Sequence, residues 1–393
     1  MNEMSRLRVI VLGWLIRGPA GGCAWHYLNY LLGLAELGHD VYYLEDSGDI
    51  PACYDRAMSN PNNDSSYGLS FASRILEKLG LGDRWVYYDA PANEWKGACA
   101  RDARELCETA DLVLNVSGAN PLRDWLARVS VRALIDTDPG FTQVRNLADA
   151  SFRHSCNAHT VFFSFGENIG KPSSSVPLDG FPWHPTRQPV AFDAWPKISG
   201  SCCGRYTSVL TWESPDLFEH DGLRLSALKS ESFRPFVGLP QRLGQIFQLA
   251  VRGSTAALAA LREAGWGIAD VDEVANDPWT YQAFIQTSKA EFSIAKVGYV
   301  LTQSGWFSER SAVYLASGRP VIAQNTGFPE WLPCGTGVFA FRSPEDVVQA
   351  ISEIDSNYDT HCRAARMLAE EYFAARRVLP PLIETAMATP ARR

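Results

Sequence analysis

No apolar run approaching the roughly 18 residues of a membrane-crossing helix occurs in the 393-residue sequence. The first residues, MNEMSRLRVIV, lead straight into a strand-like run instead of a signal-type apolar segment. Cysteine pairs at metal or redox spacing are missing too. The nine cysteines include the adjacent Cys202 and Cys203 but form no CxxC. An odd, scattered set points to packed, reduced thiols and a cytoplasmic protein. Positive charge is short: 36 Lys and Arg against 44 Asp and Glu leave a net charge of −8. Binding to a phosphate backbone needs a basic face, so a nucleic-acid partner is expected to be excluded. The GxGxxG fingerprint is absent after the first strand-like run, which argues against a nicotinamide dehydrogenase. Internal repeats and low-complexity tracts are absent as well.

What is present is an ordinary globular composition, 46% apolar and 20% charged, in a chain long enough for two cores. The runs LRVIVLG, DVYYLED, RWVYYD, DLVLNVS, VRALIDTD and HTVFFSFG alternate with helical stretches. That alternation predicts an α/β, doubly wound parallel sheet. Residues 171–204 are dense in Pro, Ser and Gly and read as the crossing between domains. Beyond them, YTSVLTW opens a second αβ series and RLGQIFQLAVRGSTAALAALREAG reads as one helix. SPEDVVQAISEIDSNY and HCRAARMLAEEYFAARRVLPPLIETA read as two terminal helices, the first with a Ser-Pro-Glu start. The expected division is 1–190, 191–370 and a final helix over 371–393.

Two segments carry chemistry. In SGWFSERSAVYLASGRPVIAQNTGF, Ser304–Phe328, a turn enters a helix whose first turn holds Glu309 and Arg310. Free amides at a helix start form an anion site, and the planar fork of arginine suits phosphate oxygens. Near the other end, RGPAGG leads into CAWHYLNYLLGLAELGHD, a glycine-rich turn at a helix N-terminus after a strand.

LASGRPVI, Phe307 and the GGxxxH…GHDV pattern together resemble the GT-B glycosyltransferases, above all the retaining family 4, or group 1, type. The chain is a divergent relative of that pattern, because Gly305 and Val313 stand where its two glutamates belong and Glu309 lies between them. A finer resemblance is to transferases of lincosamide assembly, which join an unusual sugar to a small thiol. The resemblance implies two Rossmann-like domains facing across a cleft, with the last helix packing back on the first. It also implies transfer from a nucleotide diphosphate sugar of the GDP or UDP type to a small-molecule acceptor, with retention and without metal or other cofactor. Natural-product metabolism is the expected setting, and homodimerisation is left open.

On that frame the donor set is Lys229, Lys296, Ser304, Gly305, Phe307, Ser308, Glu309, Arg310 and Ser311. The acceptor set is Gly21, Gly22, Trp25, Asp136 and Glu167, with Asp138, His26 and Glu309 as catalytic candidates. Asp136-Thr137-Asp138 superficially reads as a metal motif, but it ends a strand on the acceptor side. Two alternatives use the same cleft. A sugar-nucleotide epimerase or hydrolase would employ Asp136, Asp138 and Glu167 as acid and base groups. A non-catalytic nucleotide-sugar binder would account for the missing glutamates.

Overall fold

The computed structural model describes residues 6–49, 52–54, 63–198, 204–213 and 217–389. Cys202 and Cys203 lie outside them, as does the end of the last expected helix. The first sheet contains β1 (Arg8–Leu12), β2 (Asp40–Asp46), β3 (Trp85–Asp89), β4 (Glu94–Lys96), β5 (Leu112–Val116), β6 (Val131–Asp136), β7 (Val161–Ser164) and β8 (Trp183–Pro185). Their order is β4-β3-β2-β1-β5-β6-β7-β8, parallel throughout except for β3 with β4. The second part holds β9 (Tyr206–Thr211), a small antiparallel hairpin of β10 (Leu217–His220) and β11 (Leu223–Ser226), then β12 (Phe247–Arg252), β13 (Gly267–Ala269), β14 (Ala290–Ser293), β15 (Val321–Gln324) and β16 (Val338–Phe341). Apart from the hairpin these strands form a parallel sheet ordered β13-β12-β9-β14-β15-β16. Both sheets are doubly wound. Each reverses direction once, between β1 and β5 in the first and between β9 and β14 in the second. A crevice opens beyond the carboxyl ends of the strands at such a reversal.

The strands of both sheets are nearly continuous apolar runs, as sheets covered on both faces require. Among the buried polar residues that interrupt them, Glu45 shapes the site. The fully buried Glu45 carboxylate accepts the backbone N–H groups of Leu15, Ile16 and Arg17, at 2.7, 2.7 and 2.8 Å. It also accepts the Arg17 Nε–H at 3.1 Å. That clamp fixes the loop between β1 and the helix Gly21–Glu36, and so the place where the helix begins.

Two sequence expectations are corrected. The run read as one helix over RLGQIFQLAVRGSTAALAALREAG contains the strand β12, and only Thr255–Glu263 is helical there. Gly244, at φ 76°, ends the short helix before it, and Gly253 ends the strand, so FQLAVR is an apolar run of strand length between breakers. The terminal helix likewise divides into Tyr358–Tyr372 and Ala375–Ala388. At the break, Val190 and Ala374 form a backbone bridge, with the Val190 amide donating to the Phe373 carbonyl at 2.7 Å. The Ala375–Ala388 helix then lies against the first helix so closely that a Cβ on Gly33 would sit 2.4 Å from that of Ala375. The chain therefore returns from the second sheet to the first.

Candidate functional site

A cavity of about 350 Å³ opens where the carboxyl ends of the two sheets face each other. The first part contributes Gly22, Cys23 and His26 from its first helix, with Ser117, Thr137 and Asp138 from beyond β5 and β6. The second part contributes Lys229, Lys296, Tyr299 and Trp306, and then Ser308, Glu309 and Arg310 at the start of the helix Glu309–Ala316. Eight residues that the sequence singled out meet here: Gly22, His26, Asp138, Lys229, Lys296, Ser308, Glu309 and Arg310.

Their electrostatics are uneven. The Lys296 ammonium donates to both oxygens of Asp138, at 2.8 and 2.7 Å, and the Tyr299 hydroxyl donates to the same carboxylate. This contact joins the two halves across the cleft. Arg310 is also committed. Its Nε donates to Glu291 at 2.6 Å, one terminal nitrogen to the Val209 carbonyl at 2.7 Å and the other to the Ser293 hydroxyl at 2.8 Å. The expectation that its fork lies open to a diphosphate is corrected, since the adjacent strands β9 and β14 supply partners for all three nitrogens. Lys229 differs. Among the described residues its ammonium has no hydrogen-bond or ion-pair partner, and burial, with the charges of Arg310 and Lys296 adding to it, pushes its pKa down to about 7. Glu309 is the cleft carboxylate at the helix start, beside the Ser308 hydroxyl, which also accepts the Arg310 amide at 3.2 Å.

His26 sits one turn into its helix with Nε2 3.3 Å from the Ser117 hydroxyl, which is 2.9 Å from that of Thr137. Burial lowers its pKa despite the opposing charge of Glu309 and the neighbouring Gln188 side chain, and its buried Nδ1 makes no well-formed hydrogen bond among the described residues. The ring is therefore neutral near pH 7.

The remaining expected residues have other work. Gly21 lets the first helix meet the second part, because a Cβ there would lie 2.5 Å from the Asp277 carbonyl oxygen. The Trp25 indole donates to the Pro278 carbonyl at 2.7 Å and packs on Trp195. Asp136 is buried beneath the cleft, where it accepts from Thr142, Gln143, Ser164 and the Asp138 amide. Glu167 is paired with Arg187 at 2.5 Å in a different cavity. Ser304 is fully buried, and its carbonyl accepts the Asn168 amide. Gly305, at φ 82°, closes against the Asn168 side chain, where a Cβ would come within 2.8 Å. Phe307 stacks on Phe373, and the buried Ser311 hydroxyl finds no partner among the described residues.

Sequence reasoning missed Ser117 and Tyr299, reached Thr137 only as the middle of Asp136-Thr137-Asp138, and favoured core for Cys23, beside the glycine turn, and for Trp306. For Ser117 the signal was present: it is the first residue beyond an apolar strand, followed by glycine, which is where open α/β sheets place ligand contacts. Tyr299 offered none, because its position depends on Asp138 across the cleft. Asp138→Asn is expected to free the Lys296 charge and tighten nucleoside diphosphate binding about threefold, roughly 0.6 kcal/mol. Isothermal calorimetry on both proteins measures it, and unchanged or weaker binding would count against an electrostatic role for the pair.

Among the described residues no group of three or more His, Cys, Asp or Glu is placed to hold a metal ion, and no helix is long and apolar enough to cross a membrane. No family model and no curated protein matches the sequence. Solved structures do match the fold. An alpha-glucosyltransferase in complex with UDP and a 13-mer DNA aligns with a TM-score of 0.61 at 10% identity, over 98% of this chain and 100% of that one. Sucrose-phosphate synthase from Thermosynechococcus elongatus aligns at 0.56 and 11% identity, over 96% and 98%. A glycosyltransferase involved in avilamycin A biosynthesis aligns at 0.54 and 13% identity, over 97% of both chains.

The first of these overturns one expectation from composition. Net charge cannot exclude a nucleic-acid partner for this architecture, since that glucosyltransferase is seen bound to DNA. A net charge averages the whole surface and does not report the face that meets a partner. What the likeness establishes is the fold: two Rossmann-like domains facing across a cleft, the GT-B architecture.

Proposed function

We propose that the protein is a glycosyltransferase that moves a sugar from a nucleotide diphosphate donor to a small acceptor. The observation that carries the reading is Lys229, a cleft lysine with no hydrogen-bond or ion-pair partner among the described residues, on which Glu309 and Glu291 act only at longer range. Burying a charge unpaired is costly, and a diphosphate would supply the missing partner. The helix start at Ser308–Arg310 faces the same cavity and adds the positive end of its dipole. The second domain would thus hold the donor, and the first, through His26, Ser117 and Thr137, the acceptor.

In the transfer step the bond between C1 and the diphosphate oxygen breaks, and its electron pair stays on the diphosphate. A lone pair of the acceptor forms the new bond to C1, and the acceptor proton passes to the departing diphosphate on the same face. That route retains configuration and needs no dedicated protein base. Lys229 and the helix start take the leaving-group charge, so the proposal is metal-independent. Neutral His26 and the Ser117 hydroxyl orient the acceptor group. The resemblance further supports a specialised, natural-product pathway, with a GDP-sugar and a thiol acceptor as its narrowest form. An epimerase or hydrolase is less well supported. Of its three acid–base carboxylates, Asp136 is consumed by four internal hydrogen bonds and Glu167 by Arg187.

Titrating UDP, GDP and dTDP against thermal unfolding tests the reading. A true donor nucleotide at 100 times its dissociation constant should stabilise the fold by about 2.7 kcal/mol, and the corresponding nucleoside far less. If none of the three shifts the melting temperature, the donor site is not in this cleft.

A further inference from the structure

A second cavity, of about 200 Å³, lies within the first domain directly beyond the cleft. It sits between the loop after β5, the carboxyl end of β6 and the helix Ala150–Asn157. Leu122, Leu134, Phe152 and Cys156 give it apolar walls. Two of its buried groups, His159 and Cys156, present no charge to an occupant, and the carboxylate on its wall, Asp136, is engaged within the fold. Burial pushes the His159 imidazole down to about 4 and the Cys156 thiol up to about 12, so both are neutral near pH 7. The His159 ring is held on both sides, 3.0 Å from the Cys156 carbonyl and 3.0 Å from the Asn115 amide nitrogen. The Asp136 carboxylate already receives four hydrogen bonds.

Ser117 lines this cavity and the catalytic cleft alike. It has φ 62°, and Gly118 follows at φ 59°. A left-handed backbone is uncommon for a residue with a side chain, and such conformations concentrate where a group must be held in place. Here the turn sets the Ser117 hydroxyl at the boundary between the two cavities, within reach of Thr137 and His26.

We propose that this cavity holds the ring of an uncharged, ring-bearing acceptor whose reactive hydroxyl or thiol emerges past Ser117 into the cleft. The inference rests on the transfer reading above and names the acceptor class for it. The size fits. A dry apolar cavity of about 150 Å³ accommodates benzene, so this one suits a single substituted six-membered ring. A polar sugar ring finds few free donors or acceptors on these walls. The same flat ring occurs in a free small molecule, such as a phenol, and on a polymer, as a nucleobase.

The test uses the whole protein with 4-nitrophenol as probe, at mildly acidic pH where it stays un-ionised, and methyl α-glucoside as a polar ring control, followed by saturation-transfer NMR. 4-Nitrophenol should bind and the glucoside should not. Cys156→Phe fills the cavity, and Leu122→Trp, at its half-buried rim, blocks the entrance with less risk to folding. Each should weaken 4-nitrophenol binding about tenfold or more, which is roughly 1.4 kcal/mol, while UDP affinity by calorimetry stays within about twofold. Phenol binding that survives both variants, or equal binding of the glucoside, overturns the proposal. Absence of UDP binding in the unmodified protein sinks the transfer reading instead, so the two failures are distinct. A DNA duplex that displaces 4-nitrophenol assigns the ring to a nucleobase, and no displacement assigns it to a free small molecule.

Discussion

Replacing Arg310 by methionine is expected to destabilise the fold by about 3–5 kcal/mol, the range for removing one partner of a buried ion pair. Its partner Glu291 is fully buried in β14, 2.6 Å from the guanidinium, and its second carboxylate oxygen has no hydrogen bond among the described residues. Without the arginine that carboxylate has nothing to offset its lost hydration. The Val209 carbonyl and the Ser293 hydroxyl lose their donors at the same time. Urea denaturation should show a lower midpoint with an unchanged slope. Adding Glu291→Gln to the methionine variant should recover part of the loss, because the stranded charge is gone and the coupling between the sites is large. A stable Arg310→Met protein with weakened diphosphate binding would return the arginine to the donor site. The helix Glu309–Ala316 is on this view anchored to the sheet by its second residue, and the anchor holds the amide end of the helix toward the cleft.

The same arginine shows where sequence reading stops. SERSAVYLASGRPVI marks the helix, its cap and the following strand, and the structure has all three. Period and punctuation are local properties, so they were legible. Whether Arg310 turns outward or down onto β14 depends on Glu291, nineteen residues earlier, in a run that reads simply as apolar. Asp138, Lys296 and Tyr299 present the same case across the cleft, over sequence separations of 158 and 161. Conversely, Phe307 and Gly305 were read as site residues because they fall on positions of the family pattern, and Trp25 because it stands beside His26. Trp25 and Gly305 are contacts between the two halves of the molecule, and Phe307 packs among Phe328, Trp331 and Phe373. FQLAVR was misread because its neighbours favour helix. Pairing with β9 on one side and β13 on the other decided it as a strand, and no local pattern contains that pairing.

Lys229→Met should weaken binding of a nucleotide sugar by about 1.5–3 kcal/mol, roughly 10- to 150-fold, the value of a hydrogen bond to a charged group. Nucleoside binding should change little if the lysine meets the diphosphate, as proposed, and not the base. The pH dependence makes the prediction specific. Burial first, and the charges of Arg310 and Lys296 after it, hold the free ammonium near pKa 7. A bound diphosphate would pull the proton back on and raise that value. Binding is therefore expected to be level below about pH 7 and to weaken above it, by up to tenfold per pH unit, until the pKa of the complex is reached. A nucleotide diphosphate sugar is the right ligand, because its phosphates stay ionised across the range. Folding runs the opposite way: the unfolded lysine keeps its proton to about pH 10.5, so this group adds stability as the pH rises from 7 toward that value. Methionine should abolish both slopes. Arginine, ionised throughout, should keep binding level above pH 7 if its longer side chain still reaches. A methionine variant that binds the donor normally, or keeps the slope, would show that another group carries the diphosphate.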